Sequence, residues 1–198
     1  MDYIIHRVNT ISEMSMVNTK FGLEIDIVYE NGQLLLKHSP QDLLNENTEL
    51  EKYLKKYKHK RLILNIKSSG IEEEVISMTK KYTDDFLLLD VEFPFIIKNY
   101  KKFGKYFLLR ISKYEAINNL EYFRNYIDWV WLDTYEEFMF KNEFKEKINL
   151  FNICLVSIER WNQDYEVDNF IREIKEKNLN IKAVMTDLNS VEKWIEKY

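Results

Sequence analysis

Eight short apolar runs punctuate this chain, at Tyr3–Ile5, Leu23–Val28, Leu62–Ile66, Phe86–Val91, Tyr106–Ile111, Trp129–Leu132, Ile153–Ser157 and Ile181–Met185. Between them lie charged segments of helical length, among them Gln41–Tyr57, Ile71–Tyr82, Glu115–Tyr126, Glu136–Phe144 and Val167–Glu176. Their apolar residues recur at three- and four-residue spacing, as at Val167, Phe170, Ile171 and Ile174, which builds one buried stripe on a helix. Short apolar strands alternating with such helices imply βα units and a parallel sheet. The expected fold class is therefore α/β, a (β/α)8 TIM-type barrel with short loops. A doubly wound open sheet competes with it, because eight strands do not by themselves require closure. The first connection, Asn9–Lys20, is short for a full crossover helix. Asn31-Gly32 is a tight-turn pair, so the chain should reverse between Glu30 and Leu34.

The chain has 198 residues, near the lower bound for such a barrel, which typically takes ~250. Four glycines and two prolines leave no linker, and we read one domain over residues 1–198. A net charge of −4, with both signs interspersed along the helices, argues against a nucleic-acid partner, which would need a clustered basic face. Cys154 is the single cysteine and lies inside an apolar run, so no internal disulfide forms and the residue reads as core. No run reaches membrane-spanning length, and the N-terminus enters a strand without a basic-then-apolar leader; a cytoplasmic location is the default expectation.

The chemistry concentrates in the first third. His6 and Arg7 follow the first run, Glu24 and Asp26 alternate within the second, and His38 follows Leu34-Leu35-Leu36-Lys37. Residues two apart in a strand face the same side, so Glu24 and Asp26 form a pair of carboxylates. Such a pair repels itself unless a cation holds it, and hard oxygen ligands suit Mg²⁺ or Ca²⁺. His6 and His38 suit proton transfer near neutral pH. The alternative is a half-buried strand with a solvated acidic face and two incidental histidines.

This pattern resembles the glycerophosphodiester phosphodiesterase family, within the wider group of phospholipase-C-like phosphodiesterases that share a TIM-type barrel. His6-Arg7 after the first strand, Glu24-x-Asp26 on the second and His38 beyond a short hairpin carry the resemblance. Asn65-Ile66-Lys67 looks like the family's Glu-x-Lys on the third strand, and Thr186-Asp187 like the Thr-Asp ending its last. There are departures: Val8 replaces a glycine, the Glu-Asn-Thr segment after it is missing, and Asn65 replaces a metal-binding glutamate.

The resemblance implies His6 and His38 as general base and acid, Glu24 and Asp26 holding Mg²⁺ or Ca²⁺, and Arg7 and Lys67 clamping a phosphate. Asn65 shares the parity of Lys67 and should point at the cation, supplying an amide oxygen without charge. Asp90 or Glu92 is placed to fill the missing carboxylate from the fourth strand, the two sharing a parity. Arg110 is either a further phosphate ligand or, preferably, the partner of Asp90 or Asp133 in an internal ion pair. Trp161 is placed to stack on a ligand or to cover the barrel mouth. Trp129 is expected in the core and Trp131 beside a pocket, Met14 and Met16 under the first loop, and His59 in solvent. The expected activity is a metal-assisted phosphodiesterase or phospholyase acting on a small-molecule or glycan-linked phosphodiester with a neighbouring hydroxyl. The alternative class is a catalytically silent barrel that binds a phosphorylated ligand or a partner protein.

Overall fold

All eight apolar runs become strands. A computed structural model describes residues 1–39, 48–112, 114–115, 118–134, 142–161 and 166–198, and the chain packs as two units. One is Ile4–Lys98; the other joins Met1–Tyr3 to Asn99–Tyr198.

The first unit contains the second half of β1 (Asp2–Ile5), then α1 (Ile11–Met16), β2 (Gly22–Glu30), β3 (Gln33–Leu36), β4 (Thr48–Glu49), α2 (Leu50–Leu54), β5 (Leu62–Ile66), α3 (Glu72–Thr79), β6 (Phe86–Leu89) and the start of α4 (Phe93–Phe103). Strand β2 is its axis. It pairs parallel with β1 and β5, and β5 pairs parallel with β6. Leu23, Ile25, Ile27, Leu62, Ile63, Leu64 and Leu88 are all fully buried, the composition of parallel strands covered on both faces. Gly22 opens β2 because nothing larger fits. A Cβ there would stand 2.4 Å from Ile4 Cδ1 and 2.6 Å from the Arg61 carbonyl oxygen.

The hairpin forms where the turn pair places it. Asn31 and Gly32 both take positive φ, 52° and 81°, and β3 runs back along β2 with Glu30 opposite Gln33 and Ile27 opposite Leu36. Past Leu36, the Lys37 N–H donates to the Asp26 carbonyl at 3.1 Å, and His38 follows. Of the helix expected over Gln41–Tyr57, the described residues show Leu50–Leu54. Residues 40–47 lie outside the described set, and Thr48–Glu49 pair with β3 instead. Thr48 is buried against the hairpin, and that pairing overrides its weak helical preference.

The second unit carries a 3₁₀ turn (Gly104–Tyr106), β7 (Leu108–Ile111), α5 (Asn118–Phe123), β8 (Trp129–Leu132), α6 (Asn142–Ile148), β9 (Asn152–Val156), a 3₁₀ turn (Ile158–Trp161), α7 (Val167–Lys177), β10 (Ile181–Thr186) and α8 (Val191–Lys197). Its strands pair in chain order, β7 with β8, β8 with β9 and β9 with β10, all parallel. Cys154 is fully buried in β9, as expected. The expected helix over Glu136–Phe144 falls mostly on residues 135–141, outside the described set. These ladders are mixed α/β, parallel apart from the β2–β3–β4 hairpins. Closure into a full barrel goes beyond them.

Three smaller expectations are corrected. Met14 is buried on α1, but Met16, two residues on, faces solvent. Trp129, the first residue of its strand and expected in the core, is only half-buried, whereas Trp131 is buried. His59 is half-buried, not solvated, with Nε2 2.9 Å from the Val17 carbonyl and its ring against Tyr57.

Candidate active site

The residues that follow β1 stay on β2 after the strand ends. Arg7 adopts φ 53°, a left-handed conformation uncommon for a side chain of its size. That turn aims its N–H at Glu24 Oε2, 2.9 Å away. The Val8 N–H then donates to the Glu24 carbonyl at 2.9 Å, and the Val8 carbonyl accepts from the buried Tyr53 hydroxyl at 2.9 Å. Asn9 follows and brackets Asp26: its Oδ1 accepts from the Asp26 N–H at 2.8 Å and its Nδ2 donates to Asp26 Oδ2 at 3.1 Å. Thr10 closes the segment as the N-cap of α1, in a reciprocal capping box with Glu13.

Glu24 and Asp26 are both buried, one strand pleat apart. On the neighbouring strand Asn65 stands opposite Asp26, and its Nδ2 donates to Glu24 Oε1 at 2.9 Å. Beyond β5, Lys67 Nζ lies 3.4 Å from Asp26 Oδ1 and 3.8 Å from Asp90 Oδ2. Arg7 Nε is 3.9 Å from Asp26 Oδ2, and His6 Nε2 is 3.8 Å from Glu24 Oε2. Thus His6, Arg7, Glu24, Asp26, Asn65 and Lys67 converge where β1 and β5 end, beside the middle of β2. His38 is exposed just past the hairpin, next to Lys37, whose N–H donates to the Asp26 carbonyl.

Burial and the adjacent Asp26 push the Glu24 carboxyl up to about 7, against the pull of the Arg7 N–H, the Asn65 amide and Lys67. A carboxylate in that state gains from a nearby cation. Asn65 Oδ1 is buried and takes no hydrogen bond, and the neighbouring Asp26 Oδ1, also without a hydrogen bond, is ion-paired with Lys67. Buried oxygens normally find a donor, so the Asn65 oxygen needs an explanation. Hard oxygens of this kind fit Mg²⁺ or Ca²⁺. Among the described residues no three of His, Cys, Asp and Glu group to hold a metal; the oxygens on offer are those of two carboxylates and an amide.

The fourth strand offers less than its sequence suggests. Strand β6 ends at Leu89, so Asp90 and Glu92 lie past it and share no strand parity. Asp90 takes φ 57° and faces Lys67, while the exposed Glu92 accepts from the Ser69 hydroxyl at 2.5 Å. Arg110 belongs to the second unit, paired with Asp133 and lying over the Trp131 ring, in accord with the internal ion pair preferred for it. Trp161 is half-buried in that same unit, beside Arg160, which faces Asp187 at 3.8 Å. The Thr186 hydroxyl donates to the buried Glu159 carboxylate. Sequence reasoning missed Asn9. Its only signal is its place immediately before the Thr10-x-x-Glu13 capping box, which fixes where α1 begins and leaves Asn9 outside it.

No family model matches the chain, and no curated protein matches it. Among solved structures it is similar to a glycerophosphoryl diester phosphodiesterase from Parabacteroides distasonis. The TM-score is 0.69 at 14% identity, over 98% of this chain and 86% of that one. At that identity the likeness speaks to the fold alone.

Proposed function

We propose that this chain is a metal-assisted phosphodiesterase or phospholyase, acting on a phosphodiester that carries a neighbouring hydroxyl, and that residues 1–198 form one closed barrel domain. The observation that carries the activity is the meeting of His6, Glu24, Asp26, Asn65 and Lys67 around two buried oxygens that accept no hydrogen bond, one of them ion-paired with Lys67. Glu24, Asp26 and Asn65 would hold a divalent cation, Mg²⁺ or Ca²⁺, whose charge, when it is bound, neutralises a phosphoryl oxygen. Arg7, exposed and with its guanidinium turned toward the site, and Lys67 clamp the remaining phosphate oxygens. One histidine of the His6–His38 pair takes the proton of the neighbouring hydroxyl as its oxygen attacks phosphorus. The other gives a proton to the leaving alkoxide as the ester P–O bond breaks, leaving a cyclic phosphodiester that water can open. The similar fold of a glycerophosphoryl diester phosphodiesterase supports a small diester as substrate. A glycan-linked diester has the same reacting group. No helix among the described residues is long and apolar enough to cross a membrane.

Turnover of bis(p-nitrophenyl) phosphate or glycerophosphocholine tests the reading. It should require Mg²⁺ or Ca²⁺, and should fall on the order of 10²–10⁴ in His6→Ala and in His38→Ala, each still folded. The second reading, a silent barrel that binds phosphorylated ligands, is favoured by the neutral Asn65 among the cation's ligands. Phosphate-analogue binding without turnover under any divalent cation would establish it in place of the enzyme.

A further inference from the structure

We infer that Asn9 is a positioning residue for the cation site: it holds Oδ2 of the Asp26 carboxylate and so turns Oδ1 toward Lys67 and Asn65. The inference rests on the proposed cation site and adds a residue that none of the sequence motifs includes. The Asp26 N–H can only donate, so the Asn9 atom facing it at 2.8 Å is the amide oxygen. That settles the orientation of the amide, and its nitrogen must then face the carboxylate, 3.1 Å from Oδ2. One planar group thus grips both the backbone and the side chain of Asp26. The backbone contact anchors the Asn9 amide, and the anchored amide then holds Oδ2 of the carboxylate in place.

The consequence falls on the other oxygen. With Oδ2 engaged by the Asn9 amide and faced by Arg7 Nε at 3.9 Å, Oδ1 is buried, accepts no hydrogen bond and faces Lys67 Nζ at 3.4 Å. It is turned to the side of β2 that borders Asn65, whose own Oδ1 likewise accepts no hydrogen bond. A carboxylate held this way presents one oxygen to a ligand without having to be ordered when the ligand arrives, which is how groups behind a metal ligand raise affinity. Asn9 is itself held. It is buried, the Tyr53 hydroxyl anchors the Val8 carbonyl just before it, and the capping box at Thr10 anchors the chain just after. A residue serving only to tie the loop down would need the backbone contact but not the one with the carboxylate.

The test compares Asn9→Ala with Tyr53→Phe in the full chain. Tyr53→Phe removes the neighbouring anchor of the same segment but leaves the amide on Asp26. Calorimetric titration with Mg²⁺ and thermal melts are run on both, with turnover of bis(p-nitrophenyl) phosphate. Asn9→Ala should weaken Mg²⁺ binding about 10–100-fold, with a matching fall in turnover at limiting Mg²⁺ that saturating Mg²⁺ partly restores. Tyr53→Phe should lower the melting temperature and leave Mg²⁺ affinity within about twofold, the scatter of a change that misses the site. Should Asn9→Ala not fold, Asn9→Ser, whose hydroxyl is too short to bridge both partners, takes its place with the same expectation. Equal loss of affinity in the Asn9 and Tyr53 variants, or unchanged affinity in Asn9→Ala, would overturn the positioning role while leaving the cation site standing. A wild-type chain that binds neither Mg²⁺ nor Ca²⁺ overturns the cation site, and this role with it.

Discussion

Glu24 is the residue on which the site's electrostatics turn. Its folded carboxyl titrates at about 7, above the ordinary 4.5, so between those values the folded state holds a proton that the unfolded chain has released. A raised pKa contributes stability that is complete below the unfolded value and lost as pH rises through the folded one. The metal-free protein should therefore become less stable from about pH 4.5 to about pH 7, and Glu24→Gln should flatten that slope in urea titrations across the range. A slope as steep in Glu24→Gln as in the wild type would assign it to another group. Asn65 sharpens the point, since its amide nitrogen donates to Glu24 at 2.9 Å where a carboxylate could only repel. Asn65→Glu should lower the metal-free melting temperature and tighten Mg²⁺ binding; no change in either would place Asn65 off the cation. Much of this site was legible from residue spacing. The i, i+2 parity of Glu24 with Asp26 follows from strand geometry, and the structure sets Asn65 opposite Asp26 with Lys67 just past the end of β5. Asn9 was not legible, because a polar residue in a loop has no period to betray its direction. Asp90 and Glu92 misled for the converse reason: a parity argument holds only inside a strand, and β6 stops at Leu89.

Among the elements, β2 decides where the chemistry goes. It lies between β1 and β5, carries both carboxylates, and extends far enough past β1 for the hairpin to return along its freed edge. The close approach of its neighbours rests on Gly22. A methyl group there would meet the Arg61 carbonyl oxygen at 2.6 Å and Ile4 Cδ1 at 2.4 Å. The isoleucine can move, but the backbone oxygen can do so only by spreading β5 from β2. Gly22→Ala should cost about 1–3 kcal/mol, in the range of core overpacking. It should also weaken Mg²⁺ binding, because Asn65 rides on the displaced strand. A loss of stability with unchanged Mg²⁺ affinity would show that the strain is absorbed before it reaches Asn65. The strands were legible because a parallel strand buried on both faces is a short, largely apolar run. The helices were less so. The expected Gln41–Tyr57 helix does not run through Thr48 and Glu49, which the hairpin recruits as strand, a tertiary pairing that local periodicity cannot register. Trp129 falls short of the core for a similar reason. Alternation predicts that it shares a face with Trp131 but not how deeply each is buried, and Trp131 is the deeper.

For the whole molecule, every proposed cation ligand belongs to the Ile4–Lys98 unit, whereas Arg110–Asp133, the Glu159 cluster and Trp161 belong to the other. This gives the proposed single domain a direct consequence. A ligand that binds only the folded state stabilises whatever unfolds together with its site, by about 2.7 kcal/mol at a hundredfold excess over its Kd. Native-state hydrogen exchange with and without Mg²⁺ reads out how far that stabilisation spreads. If residues 1–198 open as one cooperative domain, the slowest amides of β8 and β9 should gain as much protection as those of β2 and β5, although no proposed ligand lies on β8 or β9. The fully buried positions to follow are Ile25 and Leu64 in the first unit and Val130 and Ile153 in the second, all inside paired strands. Protection confined to the first unit would mean that the units open separately, and the single-domain reading would fail while the cation site survived. Protection in neither unit, at Mg²⁺ concentrations that saturate the calorimetric site, would mean that the cation binds the unfolded chain as well as the folded one, and a site built from Glu24, Asp26 and Asn65 in the fold could not be its holder.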